Sequence, residues 1–220
     1  MLGQVFDVTK GSKHYGVDGG YNFFSGKDAT KAFITGDFTE EGLIENIDDF
    51  EPKQCAELNT WIEFYHENYK YIGRLNGHFY DSEGNPTEAL DRFHECTKEG
   101  NQEKEAEEAD RAKFPPCNSR WSRTEGKQSI NMECFSSCLF NCSGGWVSCA
   151  PGSGGIKREW GGVPRQYFYK KMKDPRCACI RDSGLNADGQ DTGNRGDLDN
   201  PLFKVYENCD PQAIECKISG

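Results

Sequence analysis

Val5-Phe6-Asp7-Val8-Thr9-Lys10-Gly11, then Lys13-His14-Tyr15-Gly16-Val17-Asp18-Gly19-Gly20-Tyr21, then Phe23-Phe24-Ser25-Gly26-Lys27-Asp28-Ala29, is the stretch on which the fold turns. Val5 to Val8 alternates as a short strand, and Lys10 to Gly20 is a glycine-rich loop. Phe23 and Phe24 anchor the chain before a short helix expected around Lys27 to Phe33, with Ser25 and Asp28 both available as caps. Thr39-Glu40-Glu41 opens a second short helix, its acids lying where the helix dipole favours them. Pro52 starts a longer helix. Its apolar positions Leu58, Trp61, Ile62, Tyr65 and Tyr69 follow the spacing of one buried face. Tyr71 to Leu75 reads as a closing strand. Short helices interleaved with a small sheet make an α+β domain over residues 1–84.

Outward from this domain, Asn85-Pro86-Thr87-Glu88 carries a cap, a proline for the first helical position and a glutamate. Ala89, Leu90 and Phe93 continue an apolar stripe, whereas Gln102 to Lys113 is almost entirely Glu, Lys, Ala and Asp, as in a solvated helix or linker. Residues 85–114 are therefore read as a charged helix or linker that ends at Pro115-Pro116. Residues 115–220 show no sustained helical or strand period and are expected to be short strands and loops held by cross-links.

The chain has 11 Cys, and all but Cys55 lie at or beyond Cys96, among Gly, Pro and Asn. Such enrichment indicates disulfides formed in an oxidising compartment. An odd total leaves a thiol without an intramolecular partner, and Cys55, alone in the first third, is the candidate. Cys177 and Cys179 are too close to bridge one another, so each is expected to pair elsewhere, with Cys117, Cys149, Cys209 and Cys216 as candidates. The formal charge of −10 supplies no basic footprint for nucleic acid. No run approaches the roughly 18 apolar residues of a membrane span. The first residues carry neither a charged nor an apolar leader region, and the chain opens inside a strand. It reads as a fragment of a secreted or endomembrane-lumen protein whose signal segment is missing.

The blocks quoted above, with Tyr69-Lys70-Tyr71-Ile72-Gly73-Arg74-Leu75, resemble the haem-binding, cytochrome b5-like domain of the membrane-associated progesterone receptor family. Gly36-Asp37-Phe38-Thr39-Glu40-Glu41-Gly42-Leu43, Phe79-Tyr80-Asp81, Phe114-Pro115-Pro116-Cys117-Asn118-Ser119, Gly162-Val163-Pro164-Arg165-Gln166, Pro175-Arg176-Cys177 and Asn194-Arg195-Gly196-Asp197-Leu198-Asp199 extend the resemblance over most of the chain. It implies a b-type haem with Tyr21 as the axial ligand of its iron, Tyr15 as the hydrogen-bonding neighbour of that ligand, and Tyr69 lining the same pocket. The family often carries a lysine just before that last tyrosine. Asn68 stands there instead, so a propionate contact from this position is lost. The resemblance further implies haem-mediated self-association, an unidentified receptor or membrane partner, and a role in neuronal differentiation rather than catalysis.

Electron-carrying cytochromes b5 hold iron between two histidines, one of them in a His-Pro-Gly-Gly turn, and that turn is absent. A free phenol ionises only near pH 10, so a tyrosine ligand is phenolate at neutral pH because ferric iron stabilises it. An anionic oxygen donor favours Fe(III) and lowers the reduction potential, which disfavours electron shuttling. His14 is a rival ligand in the same loop. His66 flanks its helix, and His78 and His94, past the closing strand, are expected to be solvent-exposed. No His is arranged with Ser or Cys as a nucleophile–base pair. The other reading is an extracellular interaction module with a vestigial haem pocket, its Cys-rich half binding a receptor.

Weaker signals lie in the second half. Cys134, Cys138 and Cys142 share helical spacing but lack the paired ligands of a zinc site. The run from Ser129 to Cys142 reads as an insertion, and Asn141-Cys142-Ser143 fits an N-glycosylation acceptor. Asn186-Ala187-Asp188-Gly189 hints at a calcium loop, but Gly184 and Arg195 would occupy its end positions and exclude it. Arg195-Gly196-Asp197 is the tripeptide that integrins read, here expected to occur by chance.

Overall fold

The computed structural model describes residues 1–123, 130–132, 145–169 and 174–218. Two compact units divide the chain, Met1–Glu107 and Glu108–Gly220.

In the first unit, β1 (Gln4–Asp7) pairs antiparallel with β2 (Lys70–Arg74), with a bulge between Val5 and Phe6. Between these strands lie the short helices α1 (Ser12–Tyr15) and α2 (Ala32–Thr35) and the long α3 (Pro52–Asn68). Pro52 opens α3 as the sequence indicates, and the Gln54 Oε1 accepts the Glu51 backbone N–H at 2.9 Å. The predicted apolar stripe is buried at Leu58, Ile62 and Tyr65, whereas Trp61 remains 40% exposed.

Two short helices differ from expectation. The segment before α2 is not helical from Lys27, because its polar side chains are engaged elsewhere. Asp28 Oδ2 accepts the Gly3 N–H at 2.6 Å, and Thr30 Oγ1 accepts the Leu2 N–H at 2.7 Å. Ser25 Oγ donates to the Tyr15 carbonyl at 2.8 Å instead of capping. Helix α2 then ends at Gly36, whose φ of 67° favours glycine. The helix expected from Thr39 is a single turn. Asp37 Oδ1 accepts both the Thr39 N–H and its hydroxyl, at 3.0 and 2.8 Å. Gly42 then packs so tightly on Asp37 that a Cβ would lie 2.2 Å from the Asp37 carbonyl oxygen.

Helix α4 (Glu88–Lys113) starts two residues after Pro86, which instead bridges to Tyr80. Its first half belongs to the core of the first unit. Ala89, Leu90 and Phe93 are buried there with Phe79, Tyr80, Leu58 and Ile62. The fold therefore divides inside α4 rather than at residue 84. Gly100 lets α4 meet the start of α3 backbone to backbone, since a Cβ there would lie 1.9 Å from the Pro52 carbonyl oxygen. Cys55 is not a free thiol: it is 2% exposed and bonded to Cys96 of α4. Nor is His78 solvent-exposed. It is half-buried, its Nε2 is 3.8 Å from Asp48 and its backbone N–H donates to Glu45 at 3.2 Å. His94 is exposed, as expected.

The second unit holds two antiparallel sheets. One orders β4 (Ile130–Met132), β3 (Asn118–Arg123), β5 (Gly145–Ser148) and β9 (Glu215–Ile218). The other orders β7 (Arg176–Ile180), β6 (Val163–Tyr167) and β8 (Phe203–Lys204). Three disulfides staple it: Cys117–Cys177, Cys149–Cys179 and Cys209–Cys216. Cys177 and Cys179 thus each pair with one of the expected candidates. The sulfurs of Cys117, Cys149 and Cys179 lie within 4.8 Å of one another, but all three are already in disulfides. Phe114, Tyr167, Ala178 and Ile180 form the core, and Asp110 accepts from Tyr167 at 2.8 Å and from Arg176 at 2.7 Å.

Asp197 of the Arg-Gly-Asp tripeptide is 7% exposed, accepts the Ala187 N–H at 2.9 Å and lies 3.6 Å from Arg181, so it is not presented to a receptor. Cys134, Cys138, Cys142, the Asn141 acceptor and most of the run from Ser129 to Cys142 lie outside the described residues. No helix among the described residues is long and apolar enough to cross a membrane.

Both units should lose stability in alkali. Burial raises the pKa of Tyr80 and of Tyr167 and pushes Tyr206 up to about 12. A phenol raised in the folded state contributes stability that is intact below its unfolded pKa and lost above it, because only the unfolded chain ionises freely. Urea midpoints should therefore be flat up to pH 9 and fall between about pH 10 and 12. Tyr206→Phe should flatten part of that fall, and an unchanged profile would contradict the assignment.

Candidate functional site

The site grows from the loop that joins α1 to the following turn. Gly16 ends α1, its N–H bonding to the Ser12 carbonyl at 2.7 Å, and the Gly19 N–H returns to Gly16 at 2.9 Å. The Tyr21 N–H then reaches back to the His14 carbonyl at 2.9 Å. Gly19 makes this return possible, because a Cβ there would lie 2.1 Å from the same carbonyl oxygen. The Tyr15 carbonyl is fixed from the other side, accepting from Asn22 Nδ2 at 3.2 Å and Ser25 Oγ at 2.8 Å. Local glycine chemistry and two side-chain clamps thus hold Tyr15 and Tyr21 in one rigid turn, with ring centroids 6.3 Å apart.

Around this turn runs a closed circuit of ring contacts. Tyr21 meets Phe24 at 6.3 Å, Phe24 stacks on Phe33 at 4.5 Å, and Phe33 meets Trp61 at 5.9 Å. Trp61 meets Phe64 at 6.0 Å, Phe64 meets Tyr69 at 6.3 Å, and Tyr69 returns to Tyr15 at 5.9 Å. Tyr65 is buried inside the circuit and touches four of its members, Tyr15, Phe33, Phe64 and Tyr69. The circuit faces solvent: Tyr21 is 50% exposed, Phe64 41% and Trp61 40%. Phe38, also largely exposed, extends this face through Phe23, while Val17 stands bare at the tip of the loop. So much exposed aromatic surface in one place marks a ligand or partner site.

Tyr15, Tyr21 and Tyr69, the three residues indicated by sequence, are all members of this circuit. Gly11 contributes by absence of a side chain, since a Cβ there would sit 2.9 Å from the Tyr69 hydroxyl and 3.1 Å from the Tyr15 ring. Burial raises the pKa of Tyr15, with the Tyr69 and Tyr21 phenols pushing the same way and the bond to Tyr65 opposing. Tyr65, read from sequence only as a core position, has its hydroxyl 2.7 Å from that of Tyr15. The helical spacing that marked Tyr65 as buried gives no sign of where its hydroxyl goes. Burial, then the bond to Tyr15, raises the Tyr65 pKa strongly.

The His14 ring is exposed and 6.3 Å from that of Tyr21, so the rival ligand does share the face. His66 does not share it: its Nε2 lies 2.8 Å from Gln4 Oε1, and its ring packs on Phe6 and Tyr71. Asn68 is exposed and donates to the Phe64 carbonyl at 2.8 Å. A separate cavity of about 350 Å³ adjoins the circuit, sharing Tyr15, Phe24, Phe33 and Tyr65 but not Tyr21 or Tyr69.

These residues fit a haem. The circuit offers a broad aromatic surface for a flat macrocycle, and Tyr21 supplies an accessible oxygen donor of the kind that holds haem iron in some proteins.

Comparison with known proteins accords with this geometry. Residues 1–76, which contain the whole circuit, match the family model of the cytochrome b5-like haem/steroid-binding domain. Over 96% of its length the chain is 44% identical to neuferricin of Xenopus tropicalis, covering 71% of that protein. It is 38% identical to mouse neuferricin, with 98% of the chain and 76% of the relative covered, and 41% identical to zebrafish neuferricin, with 100% and 72% covered. Because the likeness runs through the disulfide-stapled second unit as well as the aromatic face, the chain belongs to the neuferricin family, with the cytochrome b5-like domain of that family at its N-terminal end.

Proposed function

We propose that this protein holds a ferric b-type haem on the aromatic face of its first unit, with the Tyr21 phenolate as axial ligand, and that it binds the haem without turning over a substrate. The observation that carries the reading is the placement of Tyr21: a half-exposed phenol, fixed by the return of its N–H to His14, at the edge of an aromatic circuit. Tyr15 packs beside it and is, by family resemblance, its hydrogen-bonding neighbour, Tyr69 lies beyond Tyr15 on the same circuit, and Trp61, Phe64 and Phe24 offer apolar contact. The bound group would supply a Lewis-acidic ferric centre that an anionic oxygen keeps oxidised. Desolvating an exposed aromatic surface of this extent would favour the association, and family resemblance implies haem-mediated pairing of two molecules.

Four disulfides among the described residues support a secreted or endomembrane-lumen setting. A role in neuronal differentiation, through a receptor or membrane partner, rests on family resemblance.

Titration of the purified protein with haemin tests the ligand. A high-spin ferric spectrum is expected, abolished or shifted by Tyr21→Phe with at least a tenfold loss of affinity, or about 1.4 kcal/mol. His14→Ala should leave it unchanged. A low-spin bis-imidazole spectrum, or one sensitive to His14→Ala alone, would overturn the assignment.

A further inference from the structure

We propose that Tyr65 is a positioning residue of the haem site, its hydroxyl donating to Tyr15 so that the Tyr15 proton is turned toward the ligand side of the circuit. This deepens the Tyr21 reading and rests on it.

The argument is one of hydrogen-bond polarity. The Tyr15 and Tyr65 hydroxyls are 2.7 Å apart, and the distance alone allows either to donate. Burial distinguishes the two directions. Tyr65 is 6% exposed, and among the described residues Tyr15 is the sole hydrogen-bond partner of its hydroxyl. If Tyr15 donated, the Tyr65 proton would be buried without an acceptor, which costs about 1–3 kcal/mol. If Tyr65 donates, its proton is satisfied, and the proton of the half-buried Tyr15 is released toward the side where Tyr21 and Tyr69 lie. The second arrangement leaves the free proton on the less buried of the two hydroxyls, where solvent or a ligand-side oxygen can accept it.

The consequence reaches the ligand. A hydroxyl that accepts one hydrogen bond becomes a better donor in the next. Where the released Tyr15 proton is given to the Tyr21 phenolate of the haem-loaded protein, donation from Tyr65 would strengthen that bond, draw charge from the phenolate oxygen and weaken its donation to iron. Tyr65 is buried beneath the open face, and no ring contact joins it to Tyr21. Its influence passes through a single hydroxyl.

The test is a double-mutant cycle on the haem-loaded protein, read by the phenolate-to-iron charge-transfer band and the midpoint potential. Tyr65→Phe keeps the ring packing and removes only the donor. The midpoint should move to more negative potential and the band to longer wavelength, while circular dichroism and haemin affinity stay close to those of the parent. In a Tyr15→Phe background the same change should produce no additional shift. A Tyr65→Phe variant with unaltered band and potential, or one whose effect is the same with and without the Tyr15 hydroxyl, would overturn the proposal while leaving Tyr21 ligation intact. If Tyr21→Phe itself fails to change the spectrum, the ligand assignment fails first, and this proposal with it.

Discussion

Replacing Cys55 and Cys96 together by alanine is expected to remove about 4 kcal/mol from the stability of the first unit, the chain-entropy value for a bridge of this span. The two cysteines are 41 residues apart, and their Cα atoms are separated by 5.8 Å in the folded protein. Their bridge closes a loop containing most of α3, all of β2 and the start of α4. Loop entropy is only part of the effect. Cys55 lies in the buried cluster with Leu58, Ile62 and Phe93, so truncation also leaves unfilled volume in the core. Gly100 contacts Pro52 one turn further along α4, so nearby backbone has little room to collapse into that space. For a unit of this size the expected fall in melting temperature is on the order of 20 °C. Thermal unfolding followed by amide exchange in α3 would measure it. A melting point within two or three degrees of the parent, roughly half a kcal/mol, would show that the bridge does not restrain the unit.

Gly19→Val should weaken haem binding sharply while leaving the fold in place. The Gly19 backbone has an ordinary negative φ, so the difficulty is one of space. A Cβ would lie 2.1 Å from the His14 carbonyl oxygen and 2.4 Å from its carbon, both backbone atoms of α1. Relief requires the loop to move outward, and that breaks the bond from the Tyr21 N–H to the same oxygen. Tyr21 would then leave its place beside Tyr15 and Phe24. Because the loop is at the surface, the loss of stability should be small, about 1 kcal/mol or less. Haemin affinity should fall at least as far as in Tyr21→Phe, by tenfold or more (about 1.4 kcal/mol). Gly20→Ala is the matched control: nothing lies within 4 Å of a Cβ there, and binding should be unaffected. Parent-like haem binding by Gly19→Val would mean that the turn does not place the ligand.

The difference between these neighbouring glycines could not be read from the chain. Both look like turn residues, and only the path of α1 brings the His14 carbonyl against one of them. The same limit applies to the short helices. Asp28 has a good sequence position for a cap, yet its carboxylate is taken by the Gly3 N–H from a segment 25 residues away. Local propensity is a weak prior when a long-range hydrogen bond competes for the same side chain.

By itself, the sequence determined the features that depend on neighbours along the chain. Pro52 and the spacing of Leu58, Ile62 and Tyr65 specified α3 and its buried face, and the glycine-rich run marked the loop carrying Tyr15 and Tyr21. The clustering of cysteines announced a cross-linked second half. Tertiary structure alone decided the partners: Cys55 with Cys96, Cys177 with Cys117, Cys179 with Cys149, and Tyr65 with Tyr15. It also buried Asp197 against Arg181, removing the Arg-Gly-Asp tripeptide from the surface. The physical reason is that periodicity records which side of an element is dry. Which atom waits on that side is set by chain segments tens of residues away, and no local pattern encodes their arrival.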